Sequence, residues 1–160
     1  MTFDPGGYAL DRDGGHHLWF LDTRMTVKAA DAFTFLEWTA PEGFAPPLHV
    51  HHREDEAFYL LDGELHVVCG DRRWAIGPGG FVYLPRGVPH SFVVARGPVR
   101  GLQITSPAGF EGFIGELGRP AEHEGLPDPA EPDIPRLAEV SARFGYQVLG
   151  PPPFPDAAPR

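Results

Sequence analysis

Cysteine is almost absent from this 160-residue chain: Cys69 stands alone, so no disulfide can form within it. The expected setting is therefore a reducing one. Lysine is nearly missing as well, Lys28 standing beside twelve arginines, a skew that reads as coding bias rather than chemistry. Basic residues as a whole are few, 13 against 22 acidic ones, and the formal charge of −9 excludes the basic face that rewards contact with nucleic acid. The same charge disfavours an anionic membrane surface. No run of about 18 apolar residues is present to span a bilayer. Residues Met1 to Gly7 lack the basic start and apolar stretch of a secretion signal. The expectation is a cytoplasmic protein with neither nucleic-acid nor membrane partners. There is also no internal repeat, and no sustained helical periodicity between Leu18 and Thr105.

Turn formers, by contrast, are abundant, with 20 glycines and 19 prolines. They break the region into short apolar or alternating runs: Leu18–Leu21, Met25–Ala29, Ala32–Thr39, Glu56–Leu61, Glu64–Cys69, Arg72–Ile76, Phe81–Leu84, Ser91–Ala95 and Val99–Thr105. Many short strands at such spacing indicate a sandwich or barrel. Asp62-Gly63, with an apolar run on each side, is the strongest hairpin signal. Arg96-Gly97-Pro98 is a second expected turn. The length suits one domain with a substantial core.

After Thr105 the pattern changes. A short helix is expected over Ala108–Leu117, with Ser106 as its cap, Pro107 in its first turn and Gly118 at its end. Pro120 to Pro132 reads as an acidic, proline-rich linker or loop. Ile134–Phe144 reads as a second helix, capped by Asp133 and ended by Gly145. Pro151–Arg160 reads as a loose tail. The expected organisation is a β-domain over 1–106 and a helical, proline-rich extension over 107–160, packed on it rather than forming a second domain.

Four residues point to chemistry. His49 and His51 are two apart, so on a strand their imidazoles leave the same face, roughly 7 Å apart at Cα. Glu56 opens the next apolar strand, and His90 arrives from a third. Three imidazoles and a carboxylate suit a divalent first-row transition metal and leave coordination positions open. His52 points away on an extended strand and is expected in solvent. Asp55 loses to Glu56 because Glu56 shares its strand face with Phe58 and Leu60. Phe58, Leu60, Phe92 and Val94 keep the alternation of Glu56 and His90, so they are expected to line a substrate pocket beside the metal. Cys69 reads as a small buried apolar residue, and Trp19, Trp38 and Trp74 as packing residues.

The spacing resembles that of the cupin superfamily. Gly43, five residues, His49-x-His51, four residues, Glu56, six residues and Gly63 satisfy its first motif. Gly79, five residues, Pro85-x-Gly87, two residues and His90 satisfy its second, except that Val94 stands where the motif has Asn. The resemblance implies an all-β fold, a cupin-type double-stranded β-helix or jelly-roll barrel with a short helical C-terminal extension. Within the superfamily, Pro46 to Gly63 is most similar to small single-domain proteins of the quercetin 2,3-dioxygenase-like group. In that group a metal binds a flavonol, the ligand Glu takes the hydroxyl proton, and dioxygen opens the central ring with loss of carbon monoxide. The resemblance implies His49, His51, Glu56 and His90 as ligands of one divalent ion per chain (Ni, Mn, Fe, Co, Cu or Zn) and Glu56 as catalytic base. It also implies a homodimer, with Leu18–Ala29 as the exchanged or edge-covering segment. The expected function is a metal-dependent dioxygenase of a chelating, flavonol-like small molecule. A non-redox isomerase, cyclase or lyase on the same scaffold, and a metal- or ligand-binding protein without turnover, are the alternatives.

Overall fold

A computed structural model describes residues 1–155; of the expected loose tail, residues 156–160 lie outside the described residues. The N-terminal β-region runs β1 (His16–Phe20), β2 (Thr23–Ala30), β3 (Thr34–Ala40), β4 (Leu48–His51), β5 (Asp55–Cys69), β6 (Arg72–Ile76), β7 (Phe81–Leu84) and β8 (His90–Ser106). Helix α1 (Phe110–Leu117), β9 (Arg119–Pro120), α2 (Ile134–Phe144) and β10 (Tyr146–Gly150) follow. Leu18–Ala29 forms most of an intrachain hairpin, β1 with β2, whose outer edge pairs with β9 at Leu18 and Trp19. No helix among the described residues is long and apolar enough to cross a membrane.

Two long strands organise the barrel. β5 and β8 pair antiparallel from Asp55↔Ser106 to Cys69↔His90. At one end of this ribbon, β8 also pairs with β4 through His49↔His90, and β5 pairs with β6. At the other end, β8 pairs with β3, and β5 pairs with β7 through Glu56↔Leu84. The ladder thus divides into two half-sheets, β10-β4-β8-β5-β6 and β9-β1-β2-β3-β8-β5-β7. Alternation along β3 and along Glu56, Phe58 and Leu60 puts apolar residues between them, and a single core cluster fills that space. Phe110, Phe113 and Ile114 of α1, Val140 of α2 and Tyr146 of β10 belong to the same cluster.

The expected Asp62-Gly63 hairpin does not form. β5 continues through it, with register shifts between Leu60 and Leu65. Extra residues in one strand bend and twist a ladder, and here they fold the β5–β8 ribbon from one half-sheet into the other. Gly63 carries φ 82°, and a Cβ there would lie 2.8 Å from both Arg96 O and Val99 Cα. The left-handed backbone that signals a hairpin serves a bulge instead. Arg96-Gly97-Pro98 likewise lies within β8 rather than ending a strand.

The first helix also starts differently from expectation. Ser106 ends β8, and α1 begins after Gly109 without a side-chain cap. Glu111 Oε2 accepts the Gly109 N–H (2.9 Å) and the hydroxyl of Thr34, so a carboxylate inside the first turn replaces the cap. Helix α2 has the expected bounds: Asp133 accepts from Arg136 N at 3.0 Å, and Gly145 ends it at φ 83°.

Two glycine substitutions separate the bend from the φ preference. Gly87 has φ +76° with nothing within 4 Å of its Cβ position, so Gly87→Ala should cost only the left-handed penalty, about 1–2 kcal/mol. Gly63→Ala adds two backbone clashes and should cost clearly more, about 3 kcal/mol or above. Denaturant midpoints of the two variants check the ranking.

Candidate metal centre

β4 contributes His49 and His51, the first residue of β8 is His90, and Glu56 sits near the start of β5. The histidines belong to one half-sheet and the carboxylate to the other, facing across the interior. Each of the four offers a donor atom, and these atoms lie within 4.8 Å of one another. Donors about 2.1 Å from a common ion are at most about 4.2 Å apart, so an adjustment of under about 1 Å would make the set coordinating. The turn of the second motif is tied to the strand of the first, with Gly87 N–H donating to His51 O at 2.8 Å. Val94 exchanges backbone hydrogen bonds with Phe44 O and Gly43 N at 2.9 Å each, so the position that departs from the motif still fixes the Gly43–Phe44 turn.

The hydrogen bonds orient the imidazoles. Nδ1 of His49 meets Pro47 O at 2.8 Å, and Nδ1 of His90 meets Val88 O at 2.9 Å. A carbonyl only accepts, so both Nδ1 atoms carry the proton and Nε2 keeps its lone pair. His90 Nε2 is buried with no hydrogen-bond partner. It stands 3.4 Å from Glu56 Oε2, an electrostatic pairing too poorly directed to be a hydrogen bond. His51 Nδ1 is also buried and unpartnered, 3.7 Å from Glu54 Oε1. An orphaned buried nitrogen such as His90 Nε2, beside the Glu56 carboxylate, is costly unless something further binds there, and a divalent cation fits the set of His49, His51, Glu56 and His90.

Burial, with the neighbouring His90 imidazole, lowers the pKa of His49 to about 4. Burial is also the main reason that His51 falls to about 3. Both are neutral near pH 7, the form that ligates. Burial pushes Glu56 upward, but the imidazoles of His51, His90 and His49 outweigh it and hold the carboxyl below its ordinary value. For His90, burial disfavours the cation, and the Glu56 carboxylate with the Val88 carbonyl more than offsets it. The Glu56 carboxylate thus favours positive charge at His90, and a metal ion on Nε2 would supply it.

Several contributors are invisible in the motifs. Gln103 Nε2 donates to Glu56 Oε1 at 2.6 Å, fixing the carboxylate from β8. Its signal was available, because Val99, Gly101, Gln103 and Thr105 share the inward parity of β8 and an inward glutamine is unusual. Glu54, in the turn before β5, is buried and accepts the Tyr146 hydroxyl. Burial raises its pKa, against the Tyr146 hydrogen bond and with help from Glu56. No local pattern marks Glu54 or Tyr146, since β10 returns to pair with β4 through Tyr146↔His51 from almost a hundred residues away.

Phe58 and Phe92 line the chamber above the cluster, joined by Phe44, Trp38 and Phe110. Leu60 and Val94, expected beside them, are fully buried core residues outside that lining. The bend at Gly63 begins just beyond Leu60, so inward parity no longer means proximity to the metal-binding end. His52 is exposed, its Nε2 3.1 Å from Gln147 Oε1, and Asp55 is paired with Arg86 at 2.8 Å.

Two outcomes test this geometry. His49→Ala, His51→Ala and His90→Ala should each lower metal content by tenfold or more in elemental analysis, whereas His52→Ala should retain it. In chelator-treated protein, the unfolded chain binds protons at His49 and His51 below about pH 6.5, but the native chain does not until about pH 4. Native stability therefore falls as pH drops through that window, by up to about 1.4 kcal/mol per imidazole per pH unit. Urea midpoints at pH 7 and pH 5 measure it.

Residues 36–105 match the family model described as Cupin domain. Quercetin 2,3-dioxygenase of Bacillus subtilis is 28% identical over 114 residues, which make up 70% of this chain and 34% of that protein. The chain thus spans about a third of the length of that curated relative. Among solved structures, a predicted oxalate decarboxylase from Thermotoga maritima matches with a TM-score of 0.57 and 17% identity, covering 62% of this chain and 99% of that one. A sugar phosphate isomerase from Silicibacter pomeroyi matches with a TM-score of 0.56 and 17% identity, covering 64% and 77%. At these identities the structural likeness is one of fold. Both motifs thus stand on a bent two-sheet barrel, within the segment that matches the Cupin domain model.

Proposed function

We propose that this protein is a cupin and a metal-dependent dioxygenase of a chelating small molecule of the flavonol type, with His49, His51, Glu56 and His90 as metal ligands. The observation that carries the reading is the four-donor cluster at the inner end of an apolar chamber. The 28% identity to a quercetin 2,3-dioxygenase supports the choice of reaction. A divalent ion held there would act as a Lewis acid on adjacent substrate oxygens and, if redox-capable, would couple them to dioxygen.

The chain's own residues supply the rest. Glu56 is the cluster's sole carboxylate and is ionised at neutral pH, so it is placed to take the proton of a substrate hydroxyl. Gln103 holds one of its oxygens and leaves the other toward His90. Phe44, Phe58, Phe92 and Phe110 exclude water and present flat apolar surfaces to a planar substrate. The proposal includes a cytoplasmic location and assembly as a homodimer. Tyr59, Phe81, Tyr83 and Ile104, exposed on adjacent strands of one outer face, support assembly.

Oxygen uptake by the metal-loaded protein with a panel of flavonols tests the reading. Turnover should consume oxygen and release carbon monoxide. Glu56→Gln should lower the rate by 100-fold or more while metal content falls much less. Substrate conversion without oxygen consumption would replace the dioxygenase with a non-redox enzyme. Loss of metal in proportion to rate would reduce Glu56 to a ligand.

A further inference from the structure

The chamber over the cluster is small, about 100 Å³. Sites that enclose drug-sized ligands run to about 300–1,000 Å³. A drug-sized ligand with its chelating head in the chamber would therefore extend beyond it. The chamber adjoins a groove of about 950 Å³, and the two share Leu21, Phe44, Pro46, Pro47, Leu137 and Val148. The shared residues are where an inner and an outer compartment meet.

The outer compartment has a distinctive chemistry. Eight of its lining residues are prolines, drawn from the segment before β4, the 120–132 loop and the chain after β10. Proline offers no backbone N–H, so this wall is rigid and poor in donors. Ile134 and Ala138 of α2 add aliphatic surface. The 120–132 loop is held in place, with Trp19 Nε1 donating to Gly125 O at 2.9 Å and the Trp19 ring 4.6 Å from that of His123. Neither compartment is lined by a lysine or an arginine among the described residues, and the groove's charged residues are Asp22 and Glu131. A phosphate or carboxylate arm would find no counter-charge there, only acidic neighbours; sites for such groups use arginine or lysine.

We propose that the proline-lined groove is a second subsite of the metal centre, taking the neutral apolar arm of a ligand whose oxygen-chelating head occupies the inner chamber. The inference rests on the metal-site reading and narrows its substrate class to elongated, uncharged, two-part chelators. Sugar phosphates and small dicarboxylates are outside that class.

The test uses protein loaded with Ni(II) or Co(II) and 2-alkyl-3-hydroxy-4-pyranones with chains from methyl to octyl, titrated calorimetrically. Affinity should rise roughly two- to fourfold per methylene, exceeding 100-fold from methyl to octyl. An octyl chain ending in a carboxylate should lose at least tenfold of that gain. Ile134 is 58% exposed, so its replacement threatens the fold little; Ile134→Glu should flatten the length dependence at least tenfold, and Ile134→Ala less. Methyl and octyl compounds binding within twofold of each other would overturn the groove while leaving the metal centre standing. A flat series in a protein that Ile134→Glu converts from dimer to monomer would give the groove to a second copy, again overturning the proposal. Failure of the methyl compound to bind metal-loaded protein would overturn the chelation reading, and the subsite with it.

Discussion

Glu56 pairs with Thr105 across the β5–β8 ladder, and His90 lies fifteen residues before Thr105 on the same strand, so on a flat sheet about 50 Å would separate them; instead Glu56 Oε2 is 3.4 Å from His90 Nε2. The difference measures how far the paired ribbon folds back on itself. The bulges between Leu60 and Leu65 do that folding, and Gly63 is the residue whose missing side chain lets the two strands pass. The spacing from Glu56 to Gly63 therefore has a mechanical meaning. It sets the length of strand between the carboxylate and the bend that carries it opposite the imidazoles.

Around that bend the environment favours one charge state. Burial holds His49 and His51 neutral, while Glu56 stays ionised among three imidazoles. The outcome is a negative group beside the unpartnered Nε2 of His90, in an apolar wall, an arrangement that a cation relieves more fully than a proton does. Gln103 and the carbonyls of Pro47 and Val88 fix the directions of the donors. The C-terminal segment completes this region, since Phe110 and Tyr146 both pack on His51.

Much of this was legible in the residues because it is written in short-range spacing. The donors fall at fixed intervals on strands, and α2 carries its own signals in Asp133 and Gly145. Asp62-Gly63 misled because a left-handed glycine serves a hairpin or a bulge equally well, and only the continuous pairing with β8 decides. Ser106 misled in the same way, since Glu111 took over the cap from inside the helix. Leu60 and Val94 have the right parity but lie too far along their strands, and parity carries no information about depth. Gln103 could have been found from its inward position. Glu54 and Tyr146 could not, because their meeting depends on where β10 returns, a property of the whole fold.

The account stands on four side chains from two facing half-sheets holding one ion. Anomalous diffraction from crystals of metal-loaded protein, collected at the absorption edge of that metal, tests this most directly. The account predicts one strong peak per chain, about 2.0–2.3 Å from a nitrogen of His49, His51 and His90 and from an oxygen of Glu56. A peak elsewhere, or none at this cluster in protein carrying one equivalent of metal, would contradict it.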